Sequence, residues 1–569
     1  MKRYERAFAE LAANASGAPV DEIAALVKIP EPDRGDFSLP CFSLAKRLRK
    51  SPADVARDVA AAAQGHPFFA SIAAVGPYVN ATLDSARVVA EIVPEVRRLG
   101  DRFACSEARR GAAVVIDYSS PNIAKPLGFH HLRSTMIGNA LARIHRALGY
   151  TVVGVNFLGD WGKTFGLLAE AFERWGDAGA LEKGGISYLL ELYVRASHAA
   201  KDEPGFDDAA RAMFLRQEEG DPRAIELWTS FREHSLREFE RIYRRLGVSF
   251  ELIEGESTYR DGMEAVIAAI AQKPGTREDQ GALVVDMPYA EGEPPMMLKK
   301  SDGATLYATR DIAAAIHRFE RFHFEKSLYV VGVEQTRHFD QLKRALRAMG
   351  HDFADRMVHV SFGRVQGMST RKGNVVFLEE VLDEARERAL AKMREAEADR
   401  EIDPEAVSEQ VGVGGVVFGD LKNLRASDYT FDWEDILNPR GFTGVCVQYA
   451  HARCCSILRK GGGAPGEGAA DLSALAASEE IALVKGIARI PSAVLDAAEA
   501  LEPSRLARAV YEAAHAWNRY QQAGNADRSL RVLVDGNRLR LARLALVDAT
   551  RIALRKGLDL LGVPTPEAM

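Results

Sequence analysis

Residues 114–138 read VVIDYSSPNIAKPLGFHHLRSTMIG, and the rest of the chain is best read outward from them. The stretch opens as a β-branched apolar run, Val114 to Tyr118. It breaks at Ser119-Ser120-Pro121-Asn122 and passes Pro126 and Gly128 before turning helical. Leu132, Met136, Ile137, Ala140, Leu141, Ile144 and Leu148 recur at the intervals of one helical face. Gly149 suits a C-terminal stop, and Tyr150–Leu158 (YTVVGVNFL) reads as the next strand. Strand, loop, helix and strand in that order predict a parallel α/β unit.

The loop-to-helix junction is where chemistry is expected. A helix N-terminus offers unpaired backbone N–H groups and partial positive charge, both suited to phosphate oxygens. His130 and His131 stand there. The dipole disfavours imidazolium, so they read as neutral N–H donors able to hold an α-phosphate while pyrophosphate is displaced. The stretch alone is equally compatible with a first turn that carries surface histidines.

Composition narrows the classes. At 569 residues the chain exceeds one core, and two to four domains are expected. Its 47% apolar and 27% charged residues are ordinary for a globular protein. The first residues, MKRYERAFAEL, contain no apolar h-region, and no apolar run approaches the ~18 residues of a membrane span. The five cysteines (Cys41, Cys105, Cys446, Cys454, Cys455) form neither a CxxC pair nor a metal-ligand spacing, which points to reduced thiols in a cytoplasm. A net charge of −6 argues against indiscriminate nucleic-acid binding and leaves room for a local basic face.

Elsewhere the residues mark further points. Lys46, Arg47, Arg49 and Lys50 form a basic run that could track a phosphate backbone or line a solvated helix face. Gly159-Asp160-Trp161-Gly162 places a turn at a strand's carboxyl edge, where doubly wound folds bind ligands. Residues 170–275 are charged and helical in pattern and show no catalytic constellation. A helix beginning near Tyr307 puts Tyr307 and Asp311 on one face at i and i+4, a phenol and carboxylate suited to a guanidinium; an internal pair with Arg310 or a nearby lysine is the other reading. Leu328–Gln335 reads as a buried strand ending in Glu334 and Gln335, and His338 by itself reads as a structural histidine. Gly363–Asn374 flanks a basic pair, Arg371-Lys372, with glycines, as a mobile loop closing on a triphosphate would. GGGAPGEGA at 461–469 reads as a flexible loop, and the chain beyond Ile481 as helical, with many arginines. Trp517 reads as core.

Pro121-Asn122-Ile123-Ala124-Lys125-Pro126 followed by His131-Leu132-Arg133-Ser134-Thr135 resembles the first signature of the class I arginyl-tRNA synthetases. The family usually has His-x-Gly-His; here Gly128 replaces the first histidine and His130 the glycine. Phe157 stands where the family has His, and Asp117 where it has Glu. Met368-Ser369 is in register with the family's Lys-Met-Ser-Lys-Ser loop, with Gly367 in place of the leading lysine and Thr370 fourth, so Arg371 and Lys372 are the stand-in cations. The likeness runs from Gly35 to Met569, weakest over 170–275.

The resemblance implies a Rossmann-like catalytic domain with a parallel sheet at 106–440, bearing a helical insertion at about 170–275. It implies a small α+β tRNA-elbow-binding domain at 1–105 and a helical anticodon-binding bundle at 441–569. It implies that ATP and L-arginine form arginyl-adenylate, which is then transferred to the 3′ end of tRNA-Arg. By position, His130, His131, Arg371 and Lys372 are catalytic. Asp117, Asn122, Tyr307, Asp311 and Gln335 hold arginine, with Asp117 and Asn122 on its backbone groups. Gly128, His131, Gly159, Met368 and Ser369 meet ATP, and Tyr78, Asn80, Tyr449, Tyr520 and Met569 meet tRNA. Mg²⁺ arrives on the phosphates with no dedicated protein ligands, and a cytoplasmic monomer with no membrane attachment is implied. The competing reading is a paralogue that binds tRNA but has lost adenylation. A dehydrogenase fits poorly, because no Gly-x-Gly-x-x-Gly follows the first strand.

Overall fold

The computed structural model describes residues 1–31, 34–273, 275–286, 295–299, 307–367, 376–395 and 403–569, with the side chains at 260–262 and 307 outside the description. At the N-terminal end, β1 (Phe37–Pro40), β2 (Phe69–Val75) and β3 (Tyr78–Leu83) form an antiparallel sheet in the order β1-β3-β2. In β3, Val79, Ala81 and Leu83 face the core beneath Phe8 of the helix Lys2–Ser16, so Tyr78 and Asn80 alternate onto the other face. Gly76, at φ 57°, makes the two-residue turn between β2 and β3.

The main sheet is parallel: β4 (Ala113–Asp117), β5 (Thr151–Leu158), β6 (Leu252–Gly255), β10 (Lys326–Tyr329) and β11 (Met357–His359), in the order β11-β10-β4-β5-β6. A separate antiparallel hairpin set, β7 (Thr276–Asp279), β8 (Ala282–Val285) and β9 (Met296–Lys299), lies between β6 and β10 in the chain. Strand order runs outward from β4 in both directions. The crevice between the carboxyl ends of β4 and β10 is therefore the topological switch point, where Asp117 pairs in register with Tyr329. Val114, Val115 and Ile116 are fully buried, as a strand covered on both faces requires.

The helix His131–Ala147 crosses from β4 to β5 with Leu132, Met136, Ala140, Leu141 and Ile144 wholly buried. Gly138 lets it pack: a Cβ there would sit 2.2 Å from the Tyr118 ring. The helices Lys163–Trp175, Ala178–Asp202, Phe206–Glu218 and Pro222–Leu246 follow β5 and bury Phe165, Leu189 and Phe231 among themselves. β6 then returns to the main sheet, inside the span expected to be a helical insertion. Its four residues are too few to show a period.

Three expectations change. The strand expected at Leu328–Gln335 ends at Tyr329, and Val333–Gln335 is a 3₁₀ turn. The glycine-rich 461–469 loop is held by Arg97, which donates to the Pro465 carbonyl. Tyr520 is wholly buried beside Trp517, because the inward face of the helix Ser504–Ala526 carries both rings. With Gly444–Lys460, Ser478–Ala500 and Asn537–Leu560, that helix completes a C-terminal bundle. The N-terminal unit is fastened to this bundle by Asp36–Lys485 at 2.8 Å and Arg97–Asp548 at 3.1 Å. Among the described residues, no helix is long and apolar enough to cross a membrane.

Candidate active site

The loop after β4 is strained: Ser119, Ser120 and Ala124 have φ of 72°, 47° and 65°. The crossover helix supports it. Ser134 Oγ accepts from the Ser119 N–H at 2.9 Å and donates to the Val330 carbonyl at 2.6 Å, while Thr135 donates to Ser119 Oγ at 2.9 Å. One helix turn thus fixes both walls of the switch point.

Asn122 is exposed at this edge and bridges to Gly159, whose N–H donates to the Pro121 carbonyl at 3.1 Å. A Cβ on Gly159 would come within 1.9 Å of Asn122 Oδ1, so the asparagine lies across the glycine and no larger residue fits.

His130 caps the crossover helix and His131 begins it, with ring centroids 4.0 Å apart. Burial pushes the His131 pKa down to about 4, aided by neighbouring His130, and partial desolvation also lowers His130. Burial thus favours the neutral form of both rings. His131 Nδ1 sits 3.1 Å from the Gly128 N–H and 3.2 Å from its carbonyl, so the local turn engages Nδ1. With the N–H donating to Nδ1, Nε2 carries the proton and serves as a donor.

The two signatures adjoin. Met368, Ser369, Arg371 and Lys372 lie outside the described residues, but both flanks are placed. After them, the Phe129 N–H donates to the Val376 carbonyl and the Leu378 N–H to the Leu127 carbonyl, at 2.9 and 2.8 Å. Before them, Arg133 of the crossover helix donates to the Gly363 carbonyl at 2.9 Å and the Ser427 carbonyl at 2.9 Å. β12 (Val365–Gln366) and β13 (Tyr429–Thr430) pair beside it.

Carboxylates gather at the carboxyl edge, and their partners differ. Asp117 receives Arg318 at 2.7 Å and the Ser120 hydroxyl at 2.7 Å, and it is 5% exposed. Arg318, seven residues beyond Asp311 on the helix Tyr307–Phe322, lies over the Phe157 ring at 5.0 Å. Asp117, expected on the amino acid's backbone groups, is thus engaged by the helix's own arginine and by Ser120. Asp160 is paired with Arg232 at 3.2 Å, and Glu256 with Arg310 at 2.6 Å. The expected alternative for Arg310, a pair with Asp311, is not formed. Burial still pushes Glu256 up to about 7, with Asp311 and Asp160 adding to it. Glu254 lies 3.9 Å from Arg318 and 3.7 Å from Arg321. Asp311 differs from these, since its partner is an imidazole, His338 Nε2, at 2.6 Å. Tyr307 opens the same helix one turn earlier, its side chain outside the description, and Gln335 is exposed in the 3₁₀ turn before His338.

Residue order alone did not mark Arg318, Arg133 or Glu256 as members of this site. The spacing of Arg318 from Asp311, two helical turns on one face, was the one available signal.

Among the expected nucleic-acid contacts, Tyr78 and Tyr449 are 41% and 42% exposed. Asn80 Oδ1 is buried without a hydrogen-bond partner beside Tyr78, while Met569 packs against the bundle. Arg47 and Lys50 of the basic run are paired with Glu22 and Asp58. The bundle's basic face is smaller than its arginines suggest, since Arg543 is buried on Glu480 at 2.6 Å.

A parallel sheet with carboxylates gathered at its switch-point edge, a histidine-bearing helix N-terminus beside it and a C-terminal helical bundle define a class I aminoacyl-tRNA synthetase. The model for tRNA synthetases class I (R), catalytic domain, matches residues 98–433; the arginyl tRNA synthetase N terminal domain matches 2–83, and the DALR anticodon binding domain 447–569. Arginine–tRNA ligase of an Exiguobacterium species is 44% identical over 575 residues, covering 100% of both chains; that of Lactococcus lactis is 44% identical over 97% of this chain and 96% of its own. Thermus thermophilus arginyl-tRNA synthetase superposes with a TM-score of 0.83 at 27% identity, covering 100% of both chains. The chain belongs to the arginyl-tRNA synthetase family, and its activity class is arginine–tRNA ligase.

Proposed function

We propose that the switch-point crevice joins L-arginine to ATP and passes the arginyl group to the 3′ end of tRNA-Arg. The observation that carries the arginine assignment is charge accounting at the edge. Asp117, Asp160 and Glu256 each hold a guanidinium of the chain itself, whereas Asp311, among the described residues, meets an imidazole and is left to an incoming cation. Tyr307, one helical turn before Asp311, and Gln335 are further contacts of the amino acid, and Asn122 serves its backbone groups with Asp117.

In the first step the arginine carboxylate oxygen bonds to the α-phosphorus of ATP while the bond to pyrophosphate breaks. His131 and His130 donate to the α-phosphate oxygens, where charge builds up. Gly128 and Gly159 keep the backbone close to the nucleotide, and Met368 and Ser369 are further ATP contacts. Arg371 and Lys372 take the leaving pyrophosphate, with Mg²⁺ entering as part of the ATP substrate. In the second step a terminal ribose hydroxyl of the tRNA attacks the arginyl carbonyl and AMP leaves. We expect bound tRNA to be required for activation.

Tyr78, Asn80, Tyr449 and Met569 are the proposed tRNA contacts; buried Tyr520 is left out as a stacking surface. The working parts are residues 1–105, 106–440 and 441–569. Five cysteines without a disulfide support a cytoplasmic setting. The reading includes a monomer, which light scattering checks.

The test is charging of total tRNA with labelled amino acids supplied one at a time with ATP and Mg²⁺. Charging by arginine alone is expected. Folded protein that binds tRNA and charges nothing would restore the tRNA-binding paralogue.

A further inference from the structure

Asp311 and His338 come from neighbouring helices, Tyr307–Phe322 and Thr336–Ala348, and meet at 2.6 Å between Oδ2 and Nε2. The pair is half-closed, with side-chain exposures of 27% for Asp311 and 11% for His338. Phe339 next to the histidine is 9% exposed, between Tyr329 at 5.0 Å and a stacked His359 at 4.9 Å. The start of the second helix is therefore set by aromatic packing on the sheet edge. Among the described residues, Asp311 Oδ1 accepts no hydrogen bond, so one carboxylate oxygen is held and the other is open.

We infer that His338 is a specificity-determining positioning residue: its Nε2–H fixes the Asp311 carboxylate so that the remaining oxygen meets the guanidinium of the amino-acid substrate. This rests on the arginine-ligase reading of the pocket and deepens it. A neutral imidazole donor can orient a carboxylate without cancelling its charge. A guanidinium, always protonated, cannot, and that is how the neighbouring acids Asp117, Asp160 and Glu256 are spent. Among the described residues, the edge thus separates acids paired with the chain's own guanidiniums from Asp311 by the kind of base placed on each.

The inference makes an atom-specific and a charge-specific demand. In His338→Gln the amide nitrogen falls near the place of Nε2 and can still donate. His338→Ala removes the donor. His338→Arg supplies donors but neutralises Asp311 permanently.

Steady-state arginylation is measured for wild type and the three variants, with arginine, ATP and tRNA varied in turn and thermal midpoints recorded alongside. For His338→Ala, the KM for arginine should rise on the order of 10-fold while kcat and the KM for ATP stay nearly level, the size expected for one hydrogen bond to a charged group. His338→Gln should stay within about 3-fold of wild type, and His338→Arg should show the largest rise, roughly 100-fold. If His338→Ala fails to fold, the contrast between Gln and Arg decides. An unchanged arginine KM in Gln and Arg alike, or a fall in kcat alone, overturns the inference while leaving the ligase reading intact. Wild-type protein that charges no arginine overturns the reading and the inference with it.

Discussion

Arg133 and Asp420 meet at 3.1 Å with side chains only 1% and 0% exposed, joining the first-signature helix to the end of the helix Pro404–Leu421. The guanidinium also reaches the Gly363, Leu424 and Ser427 carbonyls and lies over the Tyr429 ring at 5.1 Å. Removing it strands a buried carboxylate whose pKa burial already pushes upward. Arg133→Gln should destabilise the protein by roughly 3–5 kcal/mol in urea unfolding. A loss below about 1 kcal/mol would show that water or a shifted side chain replaces the arginine.

At the opposite wall, Gly159→Ala places a methyl where Asn122 Oδ1 now lies. The asparagine must turn away, and the KM for arginine should rise about 10-fold with the thermal midpoint little changed. An unchanged KM would separate Asn122 from amino-acid binding.

His131→Ala should abolish arginyl-adenylate formation, followed as tRNA-dependent pyrophosphate exchange, and leave tRNA affinity largely intact. Equal loss of both would assign the histidine a structural role.

Acid should weaken the catalytic domain through buried histidines. His145 is fully buried with Nδ1 2.8 Å from the Leu141 carbonyl, and burial pushes its pKa down to about 4. The unfolded chain binds a proton near pH 6.5 where the native one does not, so this stability is present above that pH and lost as pH falls towards 4. About 2 kcal/mol should go between pH 7 and pH 5. Glu256, raised to about 7, acts in the opposite sense: its folded form takes up a proton first and returns about 2 kcal/mol over the same range, so the His145 share is read as a difference between variant and wild type. Urea unfolding at both pH values should show His145→Gln keeping about 2 kcal/mol more of its stability than wild type on going from pH 7 to pH 5.

Tyr78→Ala should raise the KM for tRNA by about 10-fold, as loss of a stacking face does, without altering the KM for ATP. An unchanged tRNA KM would move the nucleic-acid contact elsewhere.

Much of this was legible in residue order, and what was not has a physical cause. The strand–loop–helix–strand unit could be read because apolar periodicity is local. Asn122, Gly159 and the paired histidines could be placed at the sheet's carboxyl edge because the strands and helix that flank them are local patterns too. The strand Leu252–Gly255 escaped because four residues carry no period. Tyr520 was misplaced because an aromatic at a helical interval looks the same whether its face is wet or packed. Arg318 escaped because its partner lies 201 residues earlier, and nothing in a linear pattern says which acid a buried arginine will neutralise. Phe157, in place of the family's histidine, gained its meaning only when Arg318 was found above it.

The ion pairs Asp36–Lys485 and Arg97–Asp548 have a mechanical consequence. They fasten the first domain of the chain to its last, so the two ends act as the jaws of one calliper rather than as separate hands. On the proposed reading, Tyr78 and the exposed face of Tyr449 stand at a set spacing. An RNA whose elbow and anticodon stem are wrongly separated would have to bend itself to touch both, and overall shape would be gauged before any base is inspected.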